Sequence, residues 1–102
     1  MQTYLQVTLK VKKSNREAAI NIYNKYLYFF LDTVSGAESN SLLLREKDIQ
    51  VLYGFSNTRK ARSYLRSKMF NNHIIGELDS LLESVPEIRI YEATRNKSLL
   101  LS

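Results

Sequence analysis

The stretch Asp48–Phe70, DIQVLYGFSNTRKARSYLRSKMF, joins a predicted strand directly to a predicted helix and decides the fold. Large apolar side chains occupy every second position from Ile49 to Phe55, which is the period of a strand with one buried face. The residues Ser56-Asn57-Thr58 then include good helix N-caps, and apolar residues recur at helical spacing after them. Because the connection is so short, we expect the helix to fold back over its own sheet.

Upstream of this stretch, the pattern predicts a strand, a helix and a second strand. Apolar side chains alternate with polar ones from Leu5 to Val11, which predicts the first strand. The segment Ser14–Glu17 has the spacing of a capping box, so a helix should begin there, and Gly36 should end it. Residues 41–45 then form a short strand, which we expect to pair with the strand that follows as a hairpin.

Downstream, the apolar residues between Phe70 and Leu82 fall on one side of a helical wheel, which predicts a further helix. Gly76 lies inside this helix at a cost of about 1 kcal/mol relative to alanine, so it is either simply tolerated or marks a close approach by a ligand or backbone. Pro86 ends the helix, and Glu87–Ala93 alternates as the last strand. The order is βαββαβ, which predicts an α+β domain with a ferredoxin-like, split βαβ fold.

Length and composition limit the classes to which this protein can belong. The 102 residues allow one domain, 1–102, and the longest apolar run, Tyr26–Leu31, is far too short to span a membrane. The N-terminus has no visible secretory signal and the chain contains no cysteine, so we predict a cytoplasmic protein. One histidine without cysteine removes most transition-metal sites, so we predict no metal.

The net charge of +5 raises the question of nucleic acid. Arg59, Arg62 and Arg66 lie at i, i+3 and i+7, so they form one stripe on the second helix. Such a stripe could contact phosphates. It is also what the solvated outer face of an amphipathic helix looks like, and we favour that interpretation. Nucleic acid is therefore not an expected partner.

The sheet face turned away from the helices suggests a protein partner. By alternation its side chains are mixed, neither a clean core nor a clean solvent surface, and a second copy in a two-fold dimer is the simplest cover. The apolar tail Leu99–Leu101 has no obvious place in its own core, so we predict that residues 94–102 pack on the partner. The face carries Gln6, Thr8, Lys10, Gln50, Leu52, Arg89 and Tyr91.

A set of features from Gly36 onward identifies a family resemblance. They are the helix that ends at Gly36, the helix start Phe55-Ser56-Asn57, Ala61, the run Tyr64–Phe70 and the proline-led strand Pro86–Tyr91. In this order and spacing they resemble the antibiotic biosynthesis monooxygenase family, which consists of small, dimeric α+β barrels. The resemblance covers about two-thirds of the chain and implies a homodimer with a pocket between the sheet and the second and third helices.

The resemblance implies a cofactor-independent monooxygenase that acts on a quinol-like or polyketide aromatic substrate. In that chemistry the deprotonated substrate supplies the electrons, while the protein supplies a dry pocket, positioning and stabilisation of an oxyanion. The chain departs from haem-degrading relatives because it has no tryptophan and carries Val7 where they have an asparagine. The alternative is a non-catalytic dimeric module of the same fold that binds an apolar or aromatic small molecule, or a partner protein.

Three side chains are the candidates for catalysis in the pocket implied by the resemblance. His73 is the one side chain whose ordinary pKa suits a base near neutrality, although the helical wheel places it off the centre of the apolar stripe. Tyr64 and Tyr53 could hydrogen-bond a phenolate, or they could be core aromatics with satisfied hydroxyls. A single cavity lined by all three would support the catalytic interpretation.

Overall fold

The computed structural model describes residues 2–94, which form a four-stranded antiparallel sheet covered on one face by helices. The strand order is β2-β3-β1-β4, which is the predicted ferredoxin-like arrangement. The strands are β1 (Gln2–Leu9), β2 (Ala37–Leu44), β3 (Ile49–Phe55) and β4 (Glu87–Ala93). The helices are α1 (Arg16–Thr33), α2 (Thr58–Leu65), a π-helix (Met69–Ile75) and α3 (Gly76–Leu78), with 3-10 turns at Lys13–Asn15 and Asp79–Leu81.

Strand β1 is central and pairs on both sides. Val7 lies opposite Val51 of β3 on one side and Ile88 of β4 on the other. Every second β1 residue, from Thr3 to Leu9, is buried beneath the helices, as the alternation in the sequence predicts. The intervening side chains point to the opposite, open face of the sheet.

A cluster of aromatic rings fills the space between the sheet and the helices. The Phe30 ring on α1 is fully buried, and its centroid lies 4.9 Å from that of Tyr53 and 5.1 Å from that of Tyr64. Phe55 at the end of β3 and Phe70 at the start of the π-helix complete the cluster. These rings come from four elements, so they join both halves of the chain into one core.

The hairpin between β2 and β3 closes as predicted, with an ion pair across its turn. The Arg45 backbone N–H donates to the Asp48 carbonyl at 3.0 Å, and the Arg45 guanidinium donates to both Asp48 carboxylate oxygens at 2.6 Å. These hydrogen bonds lower the pKa of the Asp48 carboxyl from its ordinary range.

The start of α1 differs from the prediction. The proposed capping box at Ser14–Glu17 is wrong, because residues Lys13–Asn15 form a 3-10 turn instead, closed by a hydrogen bond from Asn15 N–H to Lys12 O at 2.9 Å. Asn15 precedes α1 in a helical rather than an extended backbone conformation, and its side chain makes no capping bond. Ser14 therefore lies inside a turn and cannot cap the helix.

The segment after α2 breaks as predicted and then continues as a π-helix. The Ser67 hydroxyl donates to Tyr64 O at 2.6 Å and accepts from Phe70 N–H at 3.2 Å. The Asn71 amide donates to Leu65 O at 2.6 Å and to Ser67 O at 3.0 Å. These side chains satisfy carbonyls at the end of α2 and so permit the change of helical type.

The predicted C-terminal tail lies outside the described residues, so its packing on a partner stays a prediction. Within residues 2–94, no helix combines the length and the apolar character that crossing a membrane requires.

Two glycines in the helical layer should respond in opposite ways to alanine. A Cβ on Gly76 would meet only Asn71 O, at 3.7 Å, and Gly76 has helical backbone angles. We expect Gly76→Ala to raise the free energy of unfolding by about 0.5–1 kcal/mol. Gly36 has a φ of 81°, and a Cβ there would lie 2.6 Å from the Lys60 Cγ atom. Gly36→Ala should therefore lower the free energy of unfolding. Urea denaturation measures both; a destabilised Gly76→Ala variant would mean that something else approaches that position.

Candidate functional site

The space beneath α1 that could hold a ligand is almost completely filled. A cavity of about 10 Å³ remains between α1, the π-helix and the sheet, which is room for about one water molecule. Its lining is apolar apart from tyrosine and asparagine side chains. The lining residues are Leu9, Ala19, Tyr23, Tyr26, Phe30, Asn40, Ile49, Val51, Tyr53, Ile74 and Leu78.

Two of the three predicted site residues, Tyr53 and Tyr64, lie side by side in the core. Their ring centroids are 5.2 Å apart, and each side chain is only 2% exposed. Burial raises the pKa of both hydroxyls well above the ordinary value of 10.0, because the phenolate would lose its hydration. Near neutral pH both are therefore protonated, so they can donate hydrogen bonds to an oxyanion but cannot act as bases.

His73 lies apart from these two tyrosines. Its exposed side chain projects from the π-helix, and its ring stacks on Tyr26 with a centroid separation of 6.3 Å. It is not among the cavity-lining residues. The structure thus brings Tyr53 and Tyr64 together and leaves His73 on the outer surface.

A polar cluster at the rim of the cavity surrounds His73. The Glu77 carboxylate accepts hydrogen bonds from the Tyr26 hydroxyl and, at 2.9 Å, from the Lys25 ammonium. These bonds lower the pKa of Glu77 and raise that of Tyr26. They tie α1 to α3 beside the cavity, since Tyr26 also lines it.

Three buried polar side-chain atoms have no hydrogen-bond partner within residues 2–94: the Tyr64 hydroxyl, Oδ1 of Asn40 and Nε of Arg16. Asn40 lines the cavity and pairs with Tyr53 in the β2–β3 register. Sequence analysis missed Asn40 because it placed the start of the strand at Ser41. Asn40 lies two residues before Leu42, so alternation continued backward by one step would have placed it on the buried face.

The open face of the sheet has the predicted mixed character. Gln50 Nε2 donates to the Thr8 hydroxyl at 3.1 Å, and Arg89 pairs with Glu87 at 2.6 Å. Apolar side chains lie among these polar groups: Leu52 is partly exposed and Tyr91 is 44% exposed. Lys10, predicted on this face, follows the end of β1.

Two arginines of the predicted stripe, Arg59 and Arg62, lie on α2, and Arg66 directly follows its last residue. Arg59, Arg62 and Arg66 are exposed, and none forms a salt bridge with a residue in the described part of the chain. Across residues 2–94, no three His, Asp or Glu side chains gather as a metal site would require.

Solved structures provide the comparison with known proteins. A structure from Caulobacter crescentus, named a "putative antibiotic biosynthesis monooxygenase", matches with a TM-score of 0.79 at 12% identity, over 92% of this chain and 91% of that chain. The chain has the antibiotic biosynthesis monooxygenase fold. A protein of unknown function from Nitrosomonas europaea matches this fold with a TM-score of 0.78 at 20% identity, over 94% of this chain and 92% of that chain.

A third structure is described as a dimeric protein of unknown function with a ferredoxin-like fold, from Bacteroides fragilis. It matches with a TM-score of 0.73 at 15% identity, over 90% of this chain and 96% of that chain. No protein-family model and no curated protein matches the chain. This likeness confirms the resemblance found in the sequence at the level of the fold. It does not extend to the reaction, because proteins of such low identity can share a fold and differ in function.

The buried tyrosines predict a loss of stability at alkaline pH. In the unfolded chain Tyr53 and Tyr64 should ionise near pH 10.0, whereas their raised native pKa keeps them protonated. The unfolded state therefore binds fewer protons above pH 10, and the free energy of unfolding should fall as the pH rises. Urea denaturation from pH 8 to 11 measures this slope, and the Tyr64→Phe variant should have a shallower one. An equal slope, or ionisation of all 7 tyrosines before unfolding, would contradict the prediction.

Proposed function

We propose that the chain is a non-catalytic, homodimeric interaction module with the antibiotic biosynthesis monooxygenase fold. The observation that carries the proposal is the closed core: five aromatic rings occupy the space where a substrate would lie and leave a cavity of about 10 Å³. Small-molecule sites in proteins typically measure about 300–1,000 Å³. A substrate-sized molecule therefore has no room in this internal cavity without rearrangement of the rings.

The absence of a usable base at the cavity also favours a non-catalytic role. Oxidation without a cofactor begins with removal of a proton from the substrate. Tyr53 and Tyr64 are protonated at neutral pH, and His73, the residue that we predicted as a base, stacks on the outer side of Tyr26. Within the described residues, the cavity lining contains no carboxylate, histidine or lysine.

The open sheet face is the surface that we propose for dimerisation. Two such faces packed around a two-fold axis would bury Leu52 and Tyr91 against their counterparts, while Gln50 and Arg89 exchange hydrogen bonds. The structural neighbour from Bacteroides fragilis is described as dimeric, which supports a dimer of this fold. In the same proposal, residues 94–102 lie against the partner.

Substitution of Leu52 tests the proposed dimer. Leu52 would occur twice in a two-fold interface, and each buried leucine contributes about 1.5–3 kcal/mol, so Leu52→Glu should weaken dimerisation at least about 100-fold. Leu44→Glu is the matched control, because Leu44 is 57% exposed and belongs to the opposite face of the sheet. Sedimentation equilibrium at micromolar protein measures both variants.

Two results would reject parts of this proposal. A wild-type chain that sediments as a monomer would reject the dimer, and equal effects of Leu52→Glu and Leu44→Glu would reject the sheet face as its interface. Deletion of Ser98–Ser102 should also weaken the dimer while leaving the helix content unchanged. An unchanged dimer after that deletion would reject the role of the tail alone.

A second candidate function is cofactor-independent monooxygenation of an anthrone-like or quinol-like aromatic. It is favoured by neighbours named as antibiotic biosynthesis monooxygenases and by the unpartnered Tyr64 hydroxyl, a donor suited to a substrate oxyanion. The substrate would have to enter already deprotonated. In an anthrone-like substrate the reactive CH₂ would become a carbonyl by taking one oxygen atom of O₂, and the second oxygen atom would leave as water with the two hydrogens.

Oxygen uptake distinguishes this second candidate from the first. With a panel of anthrones and quinols, an enzyme of this kind should consume oxygen faster than buffer, and Tyr64→Phe should lower kcat/KM about 10- to 100-fold. Tyr28→Phe should leave the rate unchanged, since Tyr28 is 72% exposed and lies outside the cavity lining. Uptake equal to buffer across the whole panel would reject the enzymatic function.

A further inference from the structure

A second, larger concavity lies on the outer surface, between the C-terminal end of α1 and the segment from α2 to the π-helix. This groove has a volume of about 430 Å³, which falls within the range of small-molecule sites. It is separate from the internal cavity, and the two share no lining residue. Its apolar lining side chains are Phe29, Val34 and Met69, and its polar ones are Thr33, Ser35, Lys60, Ser63, Tyr64 and Ser67.

Lys60 is held in place by three contacts, one through its backbone and two through its side chain. Its backbone N–H donates to the Asn57 side chain at 2.9 Å, at the cap of α2. Its stem passes so close to Gly36 that a Cβ there would lie 2.7 Å from the Lys60 Cβ atom. Its ammonium donates to the Ser35 hydroxyl at 2.7 Å. A lysine fixed in this way loses little side-chain entropy when it binds an anion.

The Lys60 ammonium also has unused binding capacity. It forms no salt bridge with any carboxylate of residues 2–94, and an ammonium has three N–H donors, of which Ser35 takes one. Ser63 lies one helical turn after Lys60, on the same side of α2. The positive Arg59 and Arg62 on the same helix add to the local potential, which favours an anion.

The groove also presents apolar surface to solvent. Phe29 is 56% exposed, an unusual state for phenylalanine, and Val34 and Met69 lie beside it along the groove. An aromatic or short alkyl group would cover this surface and would be favoured by burial of apolar area. The groove therefore combines the positioned Lys60 ammonium with exposed apolar surface, and its volume suits a small molecule.

We propose that this groove binds a small monocarboxylate with an aromatic or short alkyl body. The carboxylate accepts hydrogen bonds from the Lys60 ammonium and the Ser63 hydroxyl, and the apolar body packs against Phe29, Val34 and Met69. This site is independent of the proposed dimer face, because all of its residues belong to the helical layer or to the connection between α1 and β2.

Titration with phenylacetate, followed in ¹H–¹⁵N NMR spectra of the full-length protein, tests the proposal. Saturable shifts are expected at the amides of Phe29, Ser35, Lys60 and Ser63. The uncharged isostere phenylacetamide should bind at least about tenfold more weakly, because it cannot form charge-assisted hydrogen bonds. Lys60→Met keeps the stem over Gly36 and should weaken phenylacetate binding to the same degree, whereas the exposed Lys68→Met control should not.

Phe29→Ala provides a second variant that removes only exposed apolar surface and should weaken phenylacetate and phenylacetamide alike. The proposal is overturned if no saturable shift occurs at millimolar phenylacetate, or if Lys60→Met binds as tightly as the wild type. It is also overturned if the shifts map to the cavity around Tyr53, or if the groove amides shift with protein concentration alone, which would indicate a second copy as the occupant.

Discussion

The packing of Phe30 against the sheet is the contact on which the rest of the structure depends. Its ring lies within 5.6 Å, centroid to centroid, of Tyr53, Phe55 and Tyr64, which belong to β3 and α2. One side chain of α1 therefore joins the two halves of the βαββαβ chain. Aromatic pairs of this kind contribute about 0.5–1.5 kcal/mol each beyond the area they bury. The same rings leave almost no free volume beneath α1. The aromatic packing that stabilises the core therefore also closes it to ligands.

The fold could be predicted from the sequence wherever one periodicity dominated. Strands β3 and β4 were predicted with their observed bounds, because large apolar side chains occupy every second position of β3 and Pro86 marks the start of β4. The beginning of β2 was not predicted correctly, because a register shift between Ala37 and Ser39 interrupts the alternation there. The prediction for the start of α1 was wrong because Lys13–Asn15 form a 3-10 turn in place of the capping box.

The candidate site was predictable in part, for the same physical reasons. Alternation and helical spacing place Tyr53 and Tyr64 in the core, and the helical wheel places His73 off the apolar stripe, which agrees with its exposure. Nothing in the sequence shows how fully five rings would fill the space around them, because packing depends on rotamers and backbone approach. The change to a π-helix after α2 depends on side-chain hydrogen bonds from Ser67 and Asn71, which no wheel represents.

The central position of β1 has a consequence for the newly made chain. Of the four strands in residues 2–94, β1 leaves the ribosome first, yet one of its edges pairs with β3 and the other with β4, which leaves last. Until residues 87–93 emerge, that second edge has unpaired N–H and C=O groups, and Leu5 and Val7 lack their neighbours on β4. An unpaired edge of this kind is a template for pairing between chains. Late addition of β4 therefore makes the nascent chain, rather than the finished domain, the form most exposed to aggregation.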